Sequence, residues 1–145
     1  MDVILDDRLL VEELLVGVDR RRWPAEPGLH TTTYWYYRAC RAAVVGAGGH
    51  LSGPFEGVGR EDQERAIAAM LRLPPEIGLP DPRITVPLMA EVATRHPRLN
   101  LLNLEVVAHA RATGATVWTS PETATGVLPV VLEAEGLPWE TMAIW

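Results

Sequence analysis

Apolar and polar positions along this chain follow two rhythms in turn, one of strands and one of helices. Residues 2–6, DVILD, are a short apolar run of β-branched character closed by acid, the pattern of a buried parallel strand ending at Asp6. DDRLLVEELLVG then predicts a helix, capped by Asp6 or Asp7, with Leu10, Leu14 and Leu15 inward and Gly17 as its stop. DRRRWPAEPG predicts a loop. Thr31 to Thr33 can cap a second helix, YWYYRACRAAVVGAG, with Trp35, Ala39, Ala42 and Ala43 on one stripe and Tyr34, Tyr37, Arg38 and Arg41 on another. Six glycines and Pro54 between Gly46 and Gly59 predict a long loop without GxGxxG. REDQERAIAAMLRL predicts an amphipathic helix ended by Pro74 and Pro75. RITVP, residues 83–87, predicts a strand, and LMAEVATRH a helix ended by Pro97. A helix from about Asn100, the strand ATVWT and a helix through TGVLPVVLEAEG complete the alternation, with Pro129 confined to a first turn. PWETMAIW predicts a last edge strand.

Strands alternating with helices imply a three-layer α/β/α sandwich with a mostly parallel central sheet and the strand ending at Asp6 in its interior. No repeat or linker divides residues 1–145, so one domain is expected. In such sheets working groups gather at the carboxyl ends of strands. Asp6 ends the first strand and Glu122 closely follows a late one, so the two can share an edge of the sheet despite their distance in sequence.

Composition narrows the function. The net charge of −6 opposes wrapping of a long nucleic acid, which needs clustered cations. Arg20, Arg21, Arg22, Arg38 and Arg41 could still form a local patch. All thirteen basic residues are Arg, which with the abundant Ala, Gly and Pro suggests a GC-rich bacterial genome. Acids at Asp2, Asp6 and Asp7 stand where a secretory signal would carry base, so a cytoplasmic protein is expected. No run approaches the roughly 18 apolar residues of a membrane span. Cys40 is the only cysteine, which excludes a disulfide framework or a cysteine-based zinc site.

Two stretches resemble the PIN domain family, the fold of VapC-type toxin ribonucleases. VILDDRLLVEELLVG looks like the family's opening strand, metal-binding Asp and helix, with Asp6 in the ligand position. VPLMAEVATRHPRLNLLNLEVVAHARATGATVWT looks like its late helix pair and following strand. The resemblance implies three or four carboxylates around Mg²⁺ or Mn²⁺, whose bound water attacks a phosphodiester. Residue by residue the match is incomplete. Asp6 fits, but the helix near residues 31–45, where a Glu is implied, holds no carboxylate. Asn103 stands where an Asp is implied, and Glu122 is one residue off the position of the last acid. Glu105 cannot stand in for Asn103, because it lies about 200° round the helix, with His109, and the two read as a polar pair on the far side.

The candidate catalytic set is therefore Asp6, Asn103 and Glu122, with Asp6 and Glu122 as metal ligands and Asp7 as an outer acid. One carboxylate, one shifted Glu and one amide hold Mg²⁺ weakly, so no cofactor is firmly expected. Mg²⁺ or Mn²⁺ applies only if the chain is an active endoribonuclease. Asn103→Asp should raise metal affinity and, as a like charge near Asp6, destabilise the metal-free protein. His30, His50, His96 and His109 lack zinc-ligand spacing and read as loop or surface residues. Ser52 beside His50 lacks the GxSxG of a hydrolase elbow. Four consecutive aromatics, Tyr34 to Tyr37, cannot all enter one core, so at least two should face a partner chain or the long loop. Tyr34, Tyr37, Arg38 and Arg41 are the expected contacts of a homodimer or protein partner. RNA is the less favoured occupant.

Overall fold

The computed structural model describes residues 1–15, 27–45 and 57–142. Gly17, Arg20 to Arg22, His50, Ser52 and most of the glycine-rich loop lie outside the described residues. The first strand, β1 (Asp2–Leu5), stops one residue short of its expected end. Asp6 instead caps α1 (Asp7–Leu15), its Oδ1 accepting the Leu9 N–H at 2.8 Å. Next come β2 (Gly28–His30), α2 (Thr33–Val45), α3 (Arg60–Leu71), β3 (Ile77–Gly78) and α4 (Pro82–Arg95). The chain closes with α5 (Leu101–Thr113), β4 (Thr116–Thr119), the short α6 (Pro121–Ala124), α7 (Leu128–Ala134) and β5 (Trp139–Thr141).

Among the described residues the four strand pairings are parallel and the order is β3-β2-β1-β4-β5. The sheet is α/β as expected, β1 is its central strand, and β5 is an edge. Alternation along β1 splits the interior in two. Val3 and Leu5 meet Leu9 of α1 on one face, with Trp118 and Met142. Ile4 meets Leu104 and Val107 of α5 on the other, with Trp35, Val117 and Leu132. Ile4, Leu5, Leu9 and Leu10 are almost wholly withdrawn from water, each worth about 1.5–3 kcal/mol.

RITVP is not a strand; it lies inside α4. Asp81 accepts the Arg83 N–H at 3.0 Å, and Pro82 supplies the first helical position. That start signal outweighs the β-branched run Ile84 to Val86. The helix expected through 125–136 is shorter, residues 128–134, with Pro129 in its first turn as expected, and 121–124 forms a turn of its own. The strands β2 and β3, of three and two residues, were not anticipated.

Behind the sheet, one acid ties three helices together. Glu135, at the end of α7, accepts from Arg95 Nε at 3.0 Å and Nη2 at 2.7 Å, from Arg111 Nη2 at 3.1 Å, and lies 3.2 Å from His96 Nε2. Arg95 belongs to α4 and Arg111 to α5. Hydrogen bonding from Arg95, above all, holds the Glu135 carboxyl down at about 2.

Candidate functional site at the carboxyl ends of β1 and β4

Strand order reverses at β1: the chain moves to one side for β2 and β3, then returns to the other for β4 and β5. Crevices form at such switch points, outside the carboxyl ends of the strands. Here those ends are Asp6–Asp7 after β1 and Ser120 to Thr123 after β4. The first turn of α5 arrives beside them. Asn100 caps that helix, its Oδ1 accepting the Asn103 N–H at 2.9 Å, and Gly114 ends it at φ 70°, the left-handed turn that leads into β4.

Asp6 is wholly buried and held from all sides. Its Oδ2 accepts the Ser120 N–H at 2.7 Å, the Ser120 hydroxyl at 2.6 Å and the Thr123 hydroxyl at 2.7 Å. With the Leu9 N–H on Oδ1 this makes four neutral donors, three of them on one oxygen. The side chain thus joins α1 to the turn after β4 across 114 residues of sequence. Ser120 and Thr123 were not anticipated; the hydroxyls flanking Pro121 and Glu122 were the available signal.

Asn103, Glu122 and Thr123 line one 180 Å³ cleft together with Trp35, Arg38 and Asn100. The structure therefore brings the candidate residues together, but with Asp6 one hydrogen bond behind the cleft wall, through Thr123. Asn103 is half-buried and Glu122 is exposed. Arg38 was expected to meet a partner. Its Nε lies 3.1 Å from Oδ2 of the buried Asp7, so α2 contributes a cation to the cleft where the resemblance implies an acid. Arg41 is exposed on the same helix.

Glu105 and His109 are not a polar pair on a far side. Both are buried, because α5 packs against α4, α2 and β4. Glu105 Oε1 accepts the Tyr34 N–H at 3.1 Å, placing an acid at the N-terminus of α2, where the helix dipole favours it. His109 meets the His30 ring edge-on, at 5.4 Å between centroids. Burial, then the charge of His30, pushes His109 down to about 4. His30 Nδ1 and His109 Nε2 are buried without hydrogen-bond partners. The Nδ1 edge faces β3, where a Cβ on Gly78 would come within 2.5 Å of it. His30 and His109 thus correct the expectation of loop or surface histidines, and His96 is half-buried beside Glu135.

Of the four aromatics, Trp35 is 1% exposed in the core between sheet and α5, and the Tyr36 hydroxyl donates to the Met70 carbonyl at 2.8 Å. The chain's own core takes these two, because α2 packs between α1, α3 and α5. Tyr34 and Tyr37 remain exposed, at 37% and 61%.

The donor set can be tested against Mg²⁺ or Mn²⁺ directly. Hard divalent ions need several anionic or strongly polar oxygens on one point. Asp6 has three donors on Oδ2 and the Leu9 N–H on Oδ1, Asp7 is paired with Arg38, Asn103 is neutral, and Glu122 is exposed at the rim. Among the described residues no three His, Cys, Asp or Glu side chains converge on a metal-sized point. These residues do not fit the metal that the resemblance implies.

No family model matches this chain, and no curated protein sequence does. Among solved structures, it is similar to VapBC-1 from nontypeable Haemophilus influenzae, with a TM-score of 0.58 and 14% identity. The likeness covers 97% of this chain and 98% of that one. The fold is PIN-like. At this identity the likeness speaks for the fold alone. Among the described residues no helix is long and apolar enough to cross a membrane.

Proposed function

We propose that this chain is a single PIN-like domain that has lost most of its metal-dependent nuclease chemistry and works as a cytoplasmic binding module for a protein. The observation that carries the reading is Asp6, whose four neutral donors, three on Oδ2 and one on Oδ1, compete with a metal for the same oxygens. Arg38 supports it by placing positive charge on the cleft wall. The acidic balance of the chain and the exposed Tyr34 and Tyr37 favour a protein, or a second copy of the chain, over nucleic acid.

A second reading, an endoribonuclease with an altered Mg²⁺ or Mn²⁺ site, draws on Asn103 and Glu122 sharing one cleft at the switch point. One titration separates the two. A metal that binds the folded chain alone must raise the thermal midpoint. The expected outcome is no shift up to about millimolar Mn²⁺ and no metal-dependent RNA cleavage. Micromolar Mn²⁺ binding with Mn²⁺-dependent RNA cleavage by the wild-type chain would establish the enzyme instead.

A further inference from the structure

The cleft described above does not end at Asn103. Asn100, Asn103 and Val127 also line a second, 400 Å³ cavity, whose other walls include Leu99, Val131 and Arg98. The two hollows form one trough between the first turn of α5 and the start of α7. Exposed apolar side chains stand on the same two elements: Leu101 at 59%, Val127 at 52% and Val130 at 68%. The polar end and the apolar end of this trough call for different chemistry in one ligand.

At the polar end, hydrogen-bond donors dominate. Arg38 is 46% exposed, and with its Nε at Asp7 it keeps further N–H groups for the cleft. Asn100 uses its carbonyl oxygen to cap α5, which leaves its amide nitrogen with two donors. Asn103 adds another amide. Arg98, lining the apolar cavity, makes no ion pair among the described residues. Against these stand Asp7, buried behind Arg38 and already paired with its Nε, and Glu122, exposed at the rim. A 180 Å³ hollow corresponds to roughly six waters, room for one carboxylate-bearing side chain.

We infer that this trough is a docking groove for a protein segment that places one acidic side chain between Arg38 and Asn103 and an apolar side chain in the cavity beyond Val127. The inference rests on the binding-module reading and names the chemistry of its partner. Charge complementarity selects the occupant. A single carboxylate satisfies the arginine and the two amides, and its apolar neighbour covers Val127. A nucleic acid strand would bring successive phosphates past Glu122 on a chain of net charge −6, which opposes it.

The test uses three capped peptides, acetyl-Leu-Ala-Glu-amide and its Gln and Arg counterparts, with inorganic phosphate as a fourth probe. Each is titrated into the metal-free full chain while the side-chain amide signals of Asn100 and Asn103 are followed by NMR. The Glu peptide should shift both signals and saturate at about tenfold lower concentration than the Gln peptide, as a charge-assisted contact requires. Val127→Asp, at an exposed position, should weaken the Glu peptide about fivefold or more without loss of fold. Arg38→Gln should abolish the preference for Glu over Gln; because it also removes the guanidinium beside the buried Asp7, Val127→Asp carries the decision if this variant fails to fold. Equal binding of the Glu and Gln peptides, tighter binding of the Arg peptide or phosphate, or no shift of either amide up to about 10 mM overturns the proposal. A prior Mn²⁺ titration keeps the two readings apart: bound metal defeats the binding-module reading, whereas absent peptide binding without metal defeats only the docking groove.

Discussion

Two carboxylates, Asp6 and Glu135, each tie distant elements of this molecule together, and they are satisfied by opposite means. Asp6 is held by backbone and hydroxyl donors, none of them charged. Glu135 is held by two guanidinium groups and an imidazole. Asp6 sits at the switch point of the sheet; Glu135 closes α7 against α4 and α5, away from it. The contrast separates two uses of the same chemistry. Neutral donors fixed by the backbone make Asp6 a geometric pin, whose strength does not depend on salt. Paired cations make Glu135 an electrostatic one, open to screening and to acid. A carboxylate at the expected catalytic place is therefore not free for catalysis merely because it is there.

The largest effect should come from removing the geometric pin. Asp6→Ala leaves the buried Leu9 and Ser120 N–H groups and the Ser120 hydroxyl without their acceptor, while the Thr123 hydroxyl stands on the cleft wall. The expected loss is about 3–5 kcal/mol of stability, since each buried donor without a partner costs about 1–3 kcal/mol. Urea unfolding measures it. A loss under about 1 kcal/mol would mean that the four hydrogen bonds are readily replaced by water, and that Asp6 is available to other ligands.

Glu135→Ala should cost less, about 2 kcal/mol, although the carboxylate is only 6% exposed. Its arginine partners are 36–39% exposed, so solvent already screens the attraction and can rehydrate them once the acid is gone. The two sites should also divide on salt. Going from low to about 0.5 M salt should weaken the contribution of Glu135 and leave that of Asp6 unchanged. Double titrations of both variants against salt would expose any crossing of these roles.

Acid adds a third window. The pKa of Glu135 falls from 4.5 unfolded to about 2 folded, so its contribution is complete above 4.5 and is lost as pH drops toward 2. His109 falls from 6.5 to about 4, so below 6.5 the unfolded chain takes up a proton that the folded chain refuses. Stability should therefore drop between pH 6.5 and 4, by about 1–2 kcal/mol after allowance for relaxation around the ring. In Glu135→Gln the slope below pH 4.5 should flatten while the slope above it persists. In His109→Gln the reverse holds. A flat profile from pH 7 to 4.5 in the wild type would contradict the buried state of His109.

What was legible in the chain divides along similar lines. The parallel sheet, the central place of β1 and the edge strand at Trp139 follow from apolar runs and their spacing, which local sequence carries. β2 and β3 escape because three and two residues hold no periodicity. RITVP reads as a strand by its β-branched content, which the Asp81–Pro82 helix start overrides. The approach of Asp6, Asn103 and Glu122 to one edge follows from strand order alone. The closure of Asp6 by Ser120 and Thr123, the pairing of Asp7 with Arg38 and the capping of α2 by Glu105 are contacts across 114, 117, 31 and 71 positions. No local pattern encodes which of several hydroxyls or arginines will arrive. Glu105 shows the limit most clearly: the angle around the helix correctly separated it from Asn103, but could not say that the other side was also interior.

The smallest effect is expected at Asn103, and it sharpens the comparison most. From sequence alone Asn103→Asp should destabilise the metal-free chain by repulsion with Asp6. The structure supplies two offsets. Asn103 lies in the first turn of α5, three residues after the Asn100 cap, where a negative charge gains about 0.3–1 kcal/mol from the helix dipole. Arg38 lines the same cleft and can answer the new charge, while Asp6 is shielded behind its own donors. The net change in stability should stay within about 0.5 kcal/mol. Metal affinity should rise only modestly for the same reason, because the added carboxylate meets a guanidinium before it meets an ion. Calorimetry with Mn²⁺ on Asn103→Asp, and on Asn103→Asp with Arg38→Leu, distinguishes the two controls. If Asn103→Asp alone gives micromolar Mn²⁺ binding, the missing acid is the whole deficit of the site. If binding appears only when Arg38 is also removed, the cation from α2 is what keeps the cleft from becoming a metal site, and the pairing of Asp7 with Arg38 takes the place that a metal would hold.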